Sequence, residues 1–545
     1  MDIDQANFRR HLLSILKHIA SANFITFDLE MSGITTRPKY SMGDRSHDIN
    51  KPTLQQQYDE MRSAAETFQV LQIGITCVEE DHEREYYLAR PYNFNLSPLS
   101  AAGVDLKLDR KLTFSSSSCD FLLKNRFDFG KVFTSGVPYL SQREEAMVRE
   151  EYMDRQERNS TIPDISISPY DMAAAAFYRD ARNTIKTWAD NPKAENDFVN
   201  ISSEDGPLNA YQRRLIHQLV RNDFPDLRTF ARNEQSFMQV VKVDMLRESE
   251  HQKRKMVSFD SAIAKQTGLR WVFEALTGGD LSGIDPRWFY AEGNEKPEHQ
   301  LSSITRELRQ VTETLRNKTH IIVGHNMFTD LGFIYNTFIS SLPAKVCHFQ
   351  ECIHGLFPVV IDTKYLATHG NDSMNPRTGL KDTLEPFKKV HIPLICLHEK
   401  HTAYGTAFGK EHEAGFDSWM TAELFVKLAA KLHAEQQGLV ADPESDDSSL
   451  NDKPTSDNEG GGVPLNYPDT DGRSDSDIPP EWYAQRLNRS SIVVEGPDQG
   501  SDKNHEPTPA LFIPSMSNKF WRAYINKLRV TAVEGGVCDL NKGDY

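Results

Sequence analysis

Asp28 and Glu30, Asp330, His412 and Asp417 are the residues of this chain whose types and local settings could do chemistry together. Asp28-Leu29-Glu30 ends the apolar run Phe24-Ile25-Thr26-Phe27, which reads as a strand. Side chains alternate along a strand, so both carboxylates point to one side. Asp330 follows the strand-like Ile321-Ile322-Val323 and a turn at Gly324-His325-Asn326, where a helix begins. Asp417 opens the helical stretch Ser418 to Leu432, with His412 five residues upstream. A cluster of carboxylates repels itself unless cations occupy it. Magnesium is held by carboxylate oxygens and water, and two such ions about 4 Å apart orient a water and neutralise charge developing on a phosphodiester. The spacing therefore assigns Asp28, Glu30, Asp330 and Asp417 as ligands of two Mg2+ ions, with Mn2+ as a substitute. His412, whose side-chain type titrates near neutrality, is the base for the attacking water. Taken singly, Asp330 could instead cap its helix, and Asp417 suits an N-cap, a role compatible with metal binding. His412 competes with His391, His398 and His401 as a packing histidine, and of these only His412 has the five-residue offset to Asp417.

The elements that must position these residues alternate between helix and strand. Phe8, Leu12, Ile15, Leu16 and Ile19 make an amphipathic helix over Met1 to His18, which is read as part of the fold and not as a signal peptide. The strand Phe68 to Val78 is followed by a hairpin partner at Tyr86-Tyr87-Leu88. A charged helix is expected over Ser141 to Arg158, further helices over Ala262 to Thr277 and Leu301 to Leu315, and a strand at Val359 to Asp362. Between the halves lies an amphipathic helix, Asn209 to Phe224, stopped by Pro225, and a strand Phe237 to Val243. The expected organisation is an α/β domain, a mixed sheet flanked by helices, in two parts over 1–160 and 258–435, interrupted by a small α/β insertion over 165–252. The insertion accounts for the gap of about 300 residues between Glu30 and Asp330. Residues 436–480 are rich in Asp, Ser, Gly and Pro and are expected to form a disordered acidic linker. Residues 481–545 regain apolar content at Ala510 to Pro514 and Phe520-Trp521, and are expected to pack on another unit or to form a degenerate remnant of a domain, with no fold assigned.

With 545 residues and 38% hydrophobic content the chain can bury sizeable cores in several domains. Its net charge of −16 argues against wholesale nucleic-acid binding, but the acidity is concentrated in 436–480, which leaves room for local basic grooves. Six irregularly spaced cysteines indicate reduced thiols and an intracellular setting, nucleus or cytoplasm. Cys347-His348 and Cys352 with His354 would suit zinc only if a second cysteine pair accompanied them. The basic run His251 to Lys255 reads as a solvated linker, with a localisation signal or phosphate contact as the alternative. No apolar run is long enough for a membrane span.

The order Asp-x-Glu, Asp, His-x4-Asp resembles that of the DEDDh 3′ exonucleases. Phe27 to Ile34, Phe127 to Phe133, Gly136 to Leu140, Gly324 to Met327, Asp362-Thr363-Lys364 and His412 to Asp417 are similar to segments of the poly(A)-specific ribonuclease family. The resemblance covers about 1–150 and 258–435. It implies a ribonuclease-H-like fold, a 3′→5′ exoribonuclease acting on single-stranded RNA with a 3′ adenosine tail, release of 5′-AMP, and a homodimer. Arg213 and His217 within the insertion are similar to an Arg-xxx-His domain that binds single-stranded nucleic acid in that family. Residues 481–545 do not show the aromatic pattern of the family's RNA-recognition domain. In this setting Met31, Ile34 and Phe121 are candidates for an apolar floor under the bases. Asn326 and Lys364 are candidates for polar contact with the terminal nucleotide, and core packing is the competing explanation for each. Met31 stands where the family often carries Phe. Asp362, a fifth strand-end carboxylate, is assigned a structural role. The rival readings are a trimming exonuclease of small or structured RNA and a catalytically inactive RNA-binding scaffold.

Overall fold

A computed structural model describes residues 1–36, 52–160, 163–191, 196–203, 206–242, 245–290, 298–371, 375, 377–404, 412–438, 512–530 and 536–541. The linker expected at 436–480 lies almost wholly outside the described residues. In chain order the strands are β1 (Asp2–Ile3), β2 (Phe24–Met31), β3 (Val70–Asp81), β4 (Tyr86–Ser97), β5 (Val137–Pro138), β6 (Phe198–Ile201), β7 (Leu227–Arg232), β8 (Phe237–Lys242), β9 (Ile321–Gly324), β10 (Val359–Asp362), β11 (Ile395–Leu397), β12 (Lys527–Arg529) and β13 (Val537–Asp539). The chain divides into two compact units, Met1–Glu144 with Ala264–Tyr545, and Glu145–Ile263.

The first unit is built on one sheet in the order β1-β4-β3-β2-β9-β10, with β5 and β11 also pairing with β4. β3 runs antiparallel to β2 and β4, while β9 and β10 continue parallel from β2. β2 is central and buried on both faces, which is why it reads as an almost unbroken apolar run. Its alternate side chains part company. Ile25, Phe27 and Leu29 join a core with Leu12, Leu16 and Ile19 of the helix Phe8–Ser21. Phe24 joins a second core with Tyr87 and Phe425, the latter on the long helix Ala414–Gln436. Burial of each such aliphatic or aromatic side chain contributes about 1.5–3 kcal/mol. The sheet is thus covered on both faces, in the manner of a layered α/β domain.

Residues 512–530 and 536–541 pack into this same unit. Trp521 is fully buried, with its ring 5.6 Å from that of Phe425. Asn526 bonds in both directions with Val360 of β10, its N–H donating to the carbonyl (2.7 Å) and its Oδ1 accepting from the amide (2.9 Å). One expected helix is divided. The pattern over Ala262 to Thr277 is broken at Gly268 between the helices Met245–Thr267 and Arg270–Thr277. Gly268 has φ +50°, and a Cβ there would meet the Pro138 carbonyl oxygen at 1.8 Å, so the break needs glycine.

The second unit contains a three-stranded antiparallel sheet in the order β6-β8-β7. The helices Met172–Ala189 and Ala210–Asp223 supply Ile185, Ile216 and Leu219 to a core with Ile201, Met238 and Val240. Asn209 and Gln212 form a reciprocal capping box at the start of the second helix.

Candidate active site

Thr26, Asp28 and Glu30 share the face of β2 opposite Ile25, Phe27 and Leu29, as the strand period requires. On the neighbouring strand they pair with Thr76, Gly74 and Gln72. The start of the helix Ala414–Gln436 lies across these six positions and is fastened there by a polar seam. Thr26 Oγ1 donates to the Ser418 carbonyl (2.6 Å), and the Thr76 and Ser418 hydroxyls are 2.8 Å apart. Gln72 Oε1 accepts from the Ala414 amide (2.9 Å), and Asn93 Oδ1 of β4 accepts from the Gly415 amide (3.1 Å). The bare Cα of Gly74 admits the helix: an added Cβ would stand 1.8 Å from the Ala414 carbonyl oxygen. These contacts satisfy backbone N–H groups at a buried helix start, where no intrahelical partner exists.

The helix begins at Ala414 with Glu413 as N-cap, so Asp417 lies inside its first turn and not at the cap position expected from the sequence. Gln72 binds the amide of Ala414 and so extends the helix one turn upstream of Ser418. Asp417 Oδ2 accepts from the backbone amide of His412 (3.2 Å), which has φ +65°. Glu30, His412 and Asp417 each place a ligand atom within 4.8 Å of the others. Glu30 and Asp417 are 9% and 8% exposed. Asp330 enters from the first turn of the helix Phe328–Ile334, directly after β9.

Asp330 stands near enough to Asp28 and Glu30 for its charge to act on both, although the group within 4.8 Å contains neither Asp28 nor Asp330. Burial, followed by the charges of Asp417, Asp330 and Glu30, holds the Asp28 carboxyl well above its ordinary value. Burial and then Asp417 and Asp330 do the same to Glu30. Asp330 is pushed up to about 7 by burial, with the charge of Asp362 adding to it. Such a cluster is held ionised at neutral pH only by cations, so the donor set fits hard divalent metal ions.

The remaining candidates divide. Phe121, 46% exposed on the helix Ser116–Lys124, has its ring 4.5 Å from that of His412, edge on. Its helix is tied to the exit of β2, with the Ser115 amide donating to the Ser32 carbonyl (2.8 Å) and Ser32 Oγ to the Thr113 carbonyl (2.6 Å). Met31 is half-buried at that exit, and Ile34 is 60% exposed just beyond it. Asn326 is exposed, with φ +57°, and its amide donates to Asp362 Oδ1 (2.8 Å). Lys364 is buried and its ammonium donates to the Thr378 carbonyl. Asp362 also accepts from the amides of Lys364 and Arg529, both at 2.9 Å, so it braces the β9 and β10 ends. Arg213 and His217 belong to the second unit, where Arg213 donates to the Leu208 carbonyl (2.5 Å) and His217 Nδ1 lies 2.5 Å from Thr229 Oγ1. Cys352 and His354 lie in the helix Val346–Leu356 and contact Tyr335 and Asn526.

The seam residues Gln72, Asn93 and Thr76 escaped the reading of the sequence. Their one signal is that polar side chains interrupt strands that are otherwise apolar, and buried polar groups must find partners.

A sheet with one reversed strand and carboxylates gathered at the ends of β2 and β9 defines a ribonuclease-H-like nuclease. The chain belongs to the CAF1 family of ribonucleases, whose pattern it matches over residues 3–425. It is 27% identical over 450 residues to a poly(A)-specific ribonuclease of Xenopus laevis, covering 79% of this chain and 62% of that protein. A pre-piRNA 3′-exonuclease trimmer of Bombyx mori is 25% identical over 448 residues, 80% of this chain and 73% of the trimmer. Among solved structures, S. pombe Pop2p in its Mg2+- and Mn2+-bound form aligns with 13% identity and a TM-score of 0.32, over 78% of this chain and 89% of that one.

Proposed function

We propose that this protein is a magnesium-dependent 3′→5′ exoribonuclease that shortens 3′ adenosine tails and releases 5′-AMP. The observation that carries the reading is the meeting of Glu30, His412 and Asp417 ligand atoms within 4.8 Å, with Asp28 and Asp330 near enough for their charges to act on this group. These four carboxylates would hold two Mg2+ ions, with Mn2+ as a substitute, and the bound metal would supply charge neutralisation and an acidified water. His412 would accept the proton of the attacking water at its ring. The edge of Phe121 against His412 limits the orientations open to the imidazole. Met31, Ile34 and Phe121 would offer the terminal bases an apolar surface whose affinity comes from stacking, and Asn326 would supply a polar contact to the terminal nucleotide. The X. laevis relative, poly(A)-specific by its name, supports adenosine as the substrate base.

The test is a sequencing-type gel of labelled oligo(A) and oligo(U), with magnesium or EDTA, comparing wild type with Asp28→Ala. Metal-dependent laddering from the 3′ end, lost in the variant, is the expected result, and its absence in the wild type refutes the proposal. Trimming of small RNA is the second reading, favoured by the similarity to the B. mori trimmer. Equal rates on oligo(A) and oligo(U) would select it. A homodimer is proposed on the family resemblance, and sedimentation showing only a 62.0 kDa species would count against it.

A further inference from the structure

In the second unit the helices Met172–Ala189 and Ala210–Asp223 cover one face of the three-stranded sheet, through Ile201, Met238 and Val240. His217 bonds Thr229, whose side chain lies on that covered side. The strand period sends the alternate residues to the opposite face. There β6 presents Phe198, β7 presents Arg228, Phe230 and Arg232, and β8 presents Phe237 and Gln239. Phe230 pairs with Gln239 and Arg232 with Phe237, so Phe230 and Phe237 are diagonal neighbours, about 7–8 Å apart. Phe198 is 36% exposed and Phe230 47% exposed, a poor use of aromatic surface in a small unit unless something stacks on it. The Arg232 guanidinium lies 5.5 Å from the Phe230 ring and donates to Gln239 Oε1 (3.1 Å), so one cation is already held over the aromatic surface. None of the outward positions of the three strands is Asp or Glu, although the chain as a whole carries a net charge of −16.

Exposed rings interleaved with arginines on a flat sheet are the physical requirements for binding an unpaired strand: bases stack on the rings and phosphates meet the guanidinium groups. We infer that this open sheet face, and not the helix surface bearing Arg213 and His217, is where the second unit holds single-stranded RNA. The inference rests on the exoribonuclease reading for its choice of RNA. Phe198, Phe230 and Phe237 supply sequence-tolerant stacking, Arg228 and Arg232 supply charge, and Gln239 supplies an amide between them.

The test uses the full chain. Binding of a long labelled oligoadenylate is measured by fluorescence anisotropy in EDTA, where a metal-dependent nuclease cannot cut. Hydrolysis of a triadenylate is measured separately in magnesium. Replacing both Phe198→Ala and Phe230→Ala should weaken binding on the order of tenfold or more, while triadenylate hydrolysis stays at the wild-type rate. Phe230→Trp should retain affinity, because it keeps a stacking surface, and this guards against a trivial loss of fold. Arg228→Gln with Arg232→Gln should flatten the dependence of affinity on salt. Unchanged oligoadenylate affinity in the double alanine variant overturns the inference. So does affinity lost in Arg213→Ala and His217→Ala but kept in the phenylalanine variant, or a change confined to self-association. A wild type that binds but never hydrolyses would refute the nuclease reading alone.

Discussion

Gly74→Ala tests whether the acidic cluster depends on how closely the helix Ala414–Gln436 approaches β3. The new methyl would lie 1.8 Å from the Ala414 carbonyl oxygen and 2.5 Å from the Gly415 amide, both backbone atoms that cannot swing aside. Since Cβ atoms do not come within 3.0 Å of such atoms, the helix start must retreat by more than an ångström. Asp417 rides on that first turn, while Asp28 is fixed in β2 directly opposite Gly74. The retreat therefore changes the distance between the two halves of the acidic cluster. Overpacking of this kind costs about 1–3 kcal/mol of stability, whereas a displacement of about 1 Å at a reacting site can cost on the order of a hundredfold in rate. The variant should therefore fold, melt somewhat lower, and lose far more activity than stability. Oligo(A) hydrolysis and thermal melting measured on one preparation decide the matter. Gly355→Ala is the control: nothing lies within 4 Å of its added methyl, and a helical alanine is favoured over glycine. A Gly74→Ala protein that is folded and turns over like the wild type would refute this account of the seam.

The raised Asp330 carboxyl makes the metal-free protein pH-sensitive. Because the folded group titrates at about 7 against 3.8 in the unfolded chain, the stability it confers is full below pH 4 and is lost as the pH rises through 7, a change of a few kcal/mol. Melting in EDTA should therefore drop between pH 5 and pH 8, Mg2+ should restore it, and a flat profile would contradict the charge burden. Asp330→Asn should melt higher than the wild type in EDTA at alkaline pH while losing its response to Mg2+, as a titration followed by thermal shift will show. His412→Ala should lower kcat by about 10²–10⁴-fold and leave Mn2+ affinity by calorimetry less affected than Asp417→Ala does. Asp362→Ala removes the acceptor of three backbone amides and should cost about 3 kcal/mol or more in chemical denaturation, whereas Asp362→Asn, which keeps one oxygen, should cost less.

Much of the site was legible because its supports are local. The alternation in Phe24 to Met31 places Asp28 and Glu30 together without knowledge of any partner strand, and the turn at Gly324 places Asp330 on a helix start. Long-range register was not legible. That Gly74 stands opposite Asp28, and Gln72 opposite Glu30, depends on how β3 slides along β2, which composition does not encode. The start of the helix at Ala414 was missed for the same reason, since its cap comes from Gln72, 342 residues away. The tail showed its apolar residues but not its destination beside β10, where Asn526 bonds Val360 and the Arg529 amide bonds Asp362.

The bond from Thr26 to Ser418 joins residues 392 positions apart. During synthesis β2 leaves the ribosome long before its helix exists, so Asp28 and Glu30 wait as two carboxylates without the other members of their cluster. On the proposed function, cutting power over RNA is withheld from a growing chain until Asp417 has emerged and docked. A nascent polypeptide still threaded through a ribosome then carries one strand of the proposed active site without the helix that completes it.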